Sequence, residues 1–290
     1  MNYAAVDIGT NSCRLLVADG LDPGRSLVRE IQTTRIGAGV DKHKQLGQEA
    51  MDRTLQGLAK LQQITQQYNT VRTRVVATSA VREADNREIF IKRVKEEIEW
   101  EVEVITGEEE ARLSYQGVRS GLNMQDLPLV VDLGGGSTEF MAGEDKELIS
   151  LPIGAVRATE AQMSITDIYA ILKQLGNLPE TWRNYPLVVV GGTATTMVAI
   201  KHGMHEYNRE MVHGQTLTRQ EVMDIYEMLE RMPLNLRRRL PGLQPERADI
   251  INKGALILLL IMDYLGRQEI TISESDILDG IIGEMIREGL

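Results

Sequence analysis

Two stretches set 125 residues apart share one pattern: VDIGTNSCRLLVAD from Val6 to Asp19, and VDLGGGSTEFMAGE from Val131 to Glu144. Asp7 aligns with Asp132, Gly9 with Gly134 and Ser12 with Ser137. Each copy reads as an apolar strand, an acid, a glycine-bearing loop, a serine and a second apolar stretch, the outline of a β-hairpin whose loop could hold a phosphate. A long repeat of this kind points to two similar α/β domains, each offering one loop to a shared cleft.

The second copy carries three successive glycines, Gly134, Gly135 and Gly136, after the apolar run Leu129, Val130 and Val131. A two-residue hairpin turn needs only one or two positions of positive φ, so the third glycine is surplus to a turn. Two readings stand at this point. One is a turn alone; the other is a loop whose backbone N–H groups face an anion, with Ser137 and Thr138 adding hydroxyl donors. The familiar phosphate loops are excluded by spacing: no lysine follows as in G-x-x-x-x-G-K-[ST], and Glu139 stands where G-x-G-x-x-G has its third glycine.

At 290 residues the chain has room for two cores, at roughly 150 residues per domain. Its single cysteine, Cys13, can form no internal disulfide and sits in a hairpin strand, which suggests packing. The start, MNYAAVDIG, has neither a basic region nor an apolar signal core, and the longest apolar run, ALILLLIM at 255–262, is too short to span a bilayer. The expectation is a soluble cytoplasmic protein with neither a membrane nor nucleic acid as partner, and a homodimer as the default assembly. The net charge of −10 is uneven, because residues 25–95 hold 14 Lys and Arg against 7 Asp and Glu. A locally basic domain can draw in a polyanion despite an acidic whole, since screening removes charge beyond about 10 Å.

Along the chain, YAAVDIG, CRLLVAD and RSLVREIQTTRIG read as three meandering strands. A helix follows over 48–67, where Met51, Leu55, Leu58, Leu61 and Ile64 recur at helical spacing. RVVATSAVRE is a buried strand running into a loop or helix, REIFIKRVKEEIEW a helix, EVEVIT a strand, and GEEEARLSYQGVRSGL a helix whose acidic first turn suits its dipole. The polar segment NMQDLP at 123–128 marks the boundary, giving domains 1–123 and 124–290. PLVVVGG at 186–192 repeats the pattern of an apolar strand ending in glycines and leads into a helix. From Thr218 the chain reads as mostly helical, with LRRRLPGLQPERAD as a loop. It ends in a helix at 274–290, for which packing back on the first domain is left open.

DIGTNSCRLLVAD, ATSAVREADN, TGEEEARLSYQGV, VVDLGGGSTEF and VVVGGTATT, in this order and with these gaps, resemble the exopolyphosphatase and guanosine pentaphosphate phosphohydrolase family of the actin-like ATPase superfamily. MVHGQTLT and RADIINKGALILL extend the resemblance over nearly the whole chain. It implies an α/β fold of two actin-like, ribonuclease H-like domains around a central cleft, hinged near residue 123, with additional helices in the second. The long members carry a helical extension of HD type, and the four histidines here form no His-Asp pair of that kind.

The resemblance implies a hydrolase that releases terminal orthophosphate from inorganic polyphosphate, guanosine pentaphosphate or both. Thr10, Asn11 and Ser12 on one loop, and Gly134, Gly135, Gly136, Ser137 and Thr138 on the other, are the expected phosphate donors. Arg82 would supply a fork to two phosphate oxygens, against the plainer reading of a surface ion pair with Glu83 or Asp85. Among the three glutamates of GEEEARL, Glu110 holds the position that carries the general base in the resembled family. Asp7, Asp132 and Glu139 would hold a divalent cation, Mg²⁺ by preference for oxygen ligands, while the plainer reading of the two aspartates is turn capping. Two rivals remain. An ATP-dependent small-molecule kinase would bind nucleotide at Gly191, Gly192 and Thr193, and a non-catalytic sensor would bind nucleotide or polyphosphate without turning it over.

Overall fold

The computed structural model describes residues 1–124, 126–143, 147–177, 182 and 184–289. Gln125 in the boundary segment, Glu144 at the end of the repeat and Leu290 at the end of the terminal helix lie outside the described residues. The chain divides into two compact units, Met1–Ser120 with Asp276–Leu290, and Gly121–Ser275. No helix among the described residues is long and apolar enough to cross a membrane.

The first unit is built on β1 (Asn2–Ile8), β2 (Ser12–Asp19), β3 (Asp22–Thr33), β4 (Thr70–Ala77) and β5 (Val102–Val104), with α1 (Val40–His43), α2 (Gln48–Gln67), α3 (Ser79–Arg82), α4 (Arg87–Ile98) and α5 (Gly107–Leu122). The second follows with β6 (Leu129–Leu133), β7 (Thr138–Ala142), β8 (Glu147–Leu151), β9 (Leu187–Val190), β10 (Thr216–Thr218) and β11 (Glu269–Ile272). Its helices are α6 (Ala155–Glu160), α7 (Ile165–Leu172), α8 (Gly192–Lys201), α9 (Arg209–Val212), α10 (Arg219–Arg231), α11 (Leu234–Arg237) and α12 (Ile251–Tyr264). The last helix, α13 (Ile277–Gly289), belongs to the first unit and packs on β1 and β2.

The repeat seen in the sequence extends to topology. The first sheet runs β3-β2-β1-β4-β5, with β1, β2 and β3 an antiparallel meander and β4 and β5 parallel to β1. The second runs β10-β11-β9-β6-β7-β8, in which β6, β7 and β8 repeat the meander and β9 and β11 repeat the parallel pair. A short antiparallel strand, β10, is the addition at one edge.

Period-two alternation places the site residues. On β1, Ala4, Val6 and Ile8 enter one apolar core with Leu55, Leu58 and Leu61 of α2 and Phe90 and Val94 of α4. Ala5 faces the opposite way, into a second core with Leu113 of α5 and Ile277, Leu278 and Ile281 of α13. Asp7 shares the parity of Ala5, and Arg14 that of Leu16 and Ala18, so both polar side chains stand on the α5 and α13 face. The helices there approach closely: a Cβ at Gly117 would overlap the Asp276 backbone, and one at Gly280 the Leu113 backbone. In the second sheet Leu129, Val131, Leu133, Phe140 and Ala142 enter the main core with α12, and Asp132 and Glu139 fall on the other face.

Two expectations about the later chain change. The segment after Thr218 contains β11, because EITI buries Ile270 and Ile272 on alternate positions and pairs with β9. The expected loop at LRRRLPGLQPERAD begins in the last two residues of the one-turn helix α11 and holds a 3-10 turn at Pro245–Arg247.

Candidate functional site

The two hairpin loops share one construction. In the first, the Gly9 N–H donates to the Ser12 carbonyl at 3.1 Å, and in the second the Gly134 N–H donates to the Ser137 carbonyl at 3.0 Å. In each loop, backbone N–H groups of a later segment take two successive carbonyls. Gly37 N–H donates to Thr10 O at 3.0 Å, and the Thr34 and Arg35 N–H groups donate to Asn11 O at 3.1 and 2.9 Å. Ala155 N–H donates to Gly134 O at 3.1 Å, and Val156 and Arg157 N–H to Gly135 O at 2.8 and 3.1 Å. A trans peptide sets its C=O and N–H on opposite sides. Holding the carbonyls toward these segments therefore aims the N–H groups of Asn11 and Ser12, and of Gly135 and Gly136, the other way.

Close packing explains the glycines around the second loop. A Cβ on Gly154 would stand 2.5 Å from Gly135 O and 2.6 Å from Gly136 N, so the start of α6 lies directly against the loop. Thr10, Asn11, Ser12 and Ser137 are buried, and Asn11 Oδ1 has no hydrogen-bond partner among the described residues. Thr138 differs from its neighbours: fully buried, it donates its hydroxyl to Ile153 O at 2.7 Å and ties the start of β7 to the approach of α6.

The residue opposite each aspartate distinguishes the copies. Asp7 pairs in register with Arg14, whose Nη2 lies 2.7 Å from Asp7 Oδ2, and Arg14 Nη1 also bonds Asp276. Burial is the largest influence on the Asp7 carboxyl and raises its pKa, Arg14 lowers it by charge and hydrogen bond, Asp276 raises it, and the net shift is upward. Asp7 Oδ1 is buried without a hydrogen-bond partner among the described residues. At the equivalent place in the second hairpin Asp132 pairs in register with Glu139, so two acids share one face where the first hairpin has an acid and a base. Ser150 donates to Glu139 Oε1 at 2.8 Å and orients it. Among the described residues no group of three His, Cys, Asp or Glu side chains comes together as a metal cluster.

Arg82 and Glu110, far apart in sequence, meet in the first unit. Arg82 ends α3, and its Nη1 donates to Glu110 Oε2 and to Ile105 O, each at 3.0 Å. The observed ion pair of Arg82 is thus with Glu110 rather than with Glu83 or Asp85. Glu110 sits in the first turn of α5, half-buried. Its neighbour Glu109 turns to Arg112 and Arg74.

Gly191, Gly192 and Thr193 join β9 to α8 beside the second loop. Gly191 has φ of 101°, and a Cβ there would overlap the Leu133 carbonyl and come within 3.5 Å of Asp132 Oδ1. A Cβ at Gly192 would overlap the guanidinium of Arg247. The sequence reading passed over Arg14, Arg157, Arg247 and Asp276. Arg14 carried a signal, being a lone charge inside the apolar strand CRLLVA at the same parity as Leu16.

The sequence profile described as the Ppx/GppA phosphatase family matches residues 17–288. A bifunctional 3-dehydroquinate synthase/phosphatase of Fusobacterium nucleatum is 35% identical over 97% of this chain and 46% of its own length. Exopolyphosphatase 2 of Mycobacterium tuberculosis is 34% identical over 96% of each chain. A guanosine-5'-triphosphate,3'-diphosphate pyrophosphatase of Vibrio parahaemolyticus is 29% identical over 99% of this chain and 59% of its own. The chain thus spans less than two thirds of the bifunctional protein and of the pyrophosphatase. Among solved structures, an exopolyphosphatase of Cytophaga hutchinsonii superposes with a TM-score of 0.89 at 28% identity, covering 99% of this chain and 98% of that one.

Proposed function

The chain belongs to the Ppx/GppA phosphatase family, and on that premise we propose that it hydrolyses phosphoanhydrides, releasing terminal orthophosphate from inorganic polyphosphate or guanosine pentaphosphate. The observation that carries the reading is the duplicated loop. In both units successive carbonyls are held back by a later segment, so that neighbouring N–H groups are preset as anion donors. Relatives named for polyphosphate and for guanosine pentaphosphate supply the two substrate classes.

In this reading Thr10, Asn11 and Ser12, and separately Gly135, Gly136 and Ser137, bind phosphate oxygens through backbone N–H groups and hydroxyls. Glu110 accepts the proton of the attacking water while the new P–O bond forms and the bridging P–O bond breaks. Its charge-assisted bond to Arg82 fixes the direction of the carboxylate. Asp132 and Glu139 are the acids whose paired like charge suits a divalent cation, Mg²⁺ in this proposal. Asp7 adds a carboxylate oxygen that has no hydrogen-bond partner among the described residues but is committed to Arg14 through the other. A bound cation would supply neutralisation of phosphate charge.

Phosphate release from long polyphosphate, tripolyphosphate and guanosine pentaphosphate, measured with Mg²⁺ and with excess EDTA, tests the proposal. Release from at least one, lost in EDTA, supports it. A folded protein that releases phosphate from none of them refutes it.

A further inference from the structure

The row of donors that holds the second loop contains one member that is not backbone. Gly134 O takes the N–H of Ala155, and Gly135 O takes those of Val156 and Arg157. The supply of helix N–H groups then ends, because the next, on Ala158, closes the first turn of α6 onto Gly154 O. Gly136 O accepts instead from the side chain of Arg157, whose Nε lies 2.6 Å away. The Arg157 residue is only 8% exposed, and a guanidinium is withdrawn from water at a cost that its hydrogen bonds must offset.

The repeat identifies what that bond does. Gly136 corresponds to Asn11, whose carbonyl is held by the backbone N–H groups of Thr34 and Arg35 at 3.1 and 2.9 Å. The same carbonyl is therefore fixed in both units, by main chain in one and by Arg157 in the other. Fixing it sets the Gly136–Ser137 peptide plane, and with it the direction of the Ser137 N–H.

We propose that Arg157 is the positioning residue of the glycine loop, its Nε–H holding the Gly136 carbonyl so that the Ser137 N–H is aimed at a phosphate oxygen. The role rests on the phosphatase reading above, since a phosphate is the ligand for which the loop is set. Arg157 acts through the peptide it holds, and substrate contact by its own guanidinium is a distinct alternative that the test separates.

Three substitutions divide the side chain into its parts. Arg157→Gln places an amide nitrogen on the same carbon that bears Nε and removes the charge. Arg157→Lys keeps the charge but puts a methylene at the Nε position, and Arg157→Met has neither donor nor charge. Turnover of tripolyphosphate by the full chain, together with hydrogen exchange of the Ser137 amide in the absence of substrate, reads out the role. Positioning predicts that Gln stays within about threefold of wild-type kcat, while Lys and Met lose about tenfold or more with KM less affected. Exchange at Ser137 should quicken in Lys and Met and not in Gln. Lys retaining more activity than Gln would overturn the proposal in favour of charge contact with substrate, as would equal losses and unchanged exchange in all three. A wild type that releases no phosphate refutes the phosphatase reading alone. The exchange pattern then still decides positioning: Gln like wild type with Met fast upholds it, and a uniform pattern overturns it.

Discussion

Replacing Gly154 by alanine adds one methyl group against the glycine loop without asking the backbone to change. Gly154 sits at φ of −159° and ψ of 167°, extended geometry that alanine adopts freely, so the effect is steric. The added carbon would stand 2.5 Å from Gly135 O and 2.6 Å from Gly136 N, where ordinary contact begins at 3.4 Å. With Gly135 C nearest at 2.4 Å, the loop must therefore retreat by about 1 Å, and overpacking of this kind costs about 1–3 kcal/mol. Misplacement of a positioned group by about 1 Å can cost on the order of 100-fold in rate, so kcat should fall roughly 10- to 100-fold in folded protein. Steady-state phosphate release, with urea unfolding monitored in parallel, measures both effects. Gly47→Ala is the control, since Gly47 has extended geometry and nothing within 4 Å of its added Cβ. Wild-type kcat in Gly154→Ala would refute the claim that the loop lying against α6 handles substrate.

Further perturbations test other parts of the structure. Burial pushes the Cys13 thiol up to about 12 and the residue is fully enclosed, so a thiol reagent at pH 8 should label the native protein not at all and the urea-unfolded protein fully. Burial alone would raise the Glu284 carboxyl, but hydrogen bonds from Arg112 and Arg74 outweigh it and hold it below its usual range. Its stabilisation is present above the unfolded carboxylate pKa and is lost as pH falls through the lowered folded value, so Glu284→Gln should be less stable than wild type at pH 7 by a margin that narrows toward pH ~3 in urea titrations. A margin constant with pH contradicts that. Arg14→Met leaves the buried carboxylates of Asp7 and Asp276 without their shared cation and should cost about 3 kcal/mol, part of which Asp7→Asn restores in the double variant.

The hairpins could be read from sequence because their signals are local. The alternation of Ala4, Val6 and Ile8 and the glycines after Asp132 specify strand and loop within a dozen residues. The pairing of Asp7 with Arg14 across β1 and β2, and of Asp132 with Glu139, follows from the same register once the loop length is known. What escaped depends on contacts distant in sequence. Arg157 lies 21 positions from the carbonyl it holds, and Arg82 bonds Glu110 28 positions away rather than its acidic neighbours. Asp276 reaches Arg14 across 262 positions, and no periodicity in either segment announces that contact. β11 was hidden by its shortness and its setting between two helices, and its burial beside β9 decides its form. Thr138 matched the expected donor pattern by type, yet the turn into β7 directs its hydroxyl to Ile153.

Glu110 carries the chemical claim, and its substitution by glutamine keeps the shape and the hydrogen bond available to Arg82 while removing the base. The decisive measurement is single-turnover phosphate release from tripolyphosphate with Mg²⁺, wild type against Glu110→Gln at equal substrate occupancy. A loss of roughly 100- to 10,000-fold in the variant, with binding retained, is the predicted result. Equal rates in the two proteins would contradict the account.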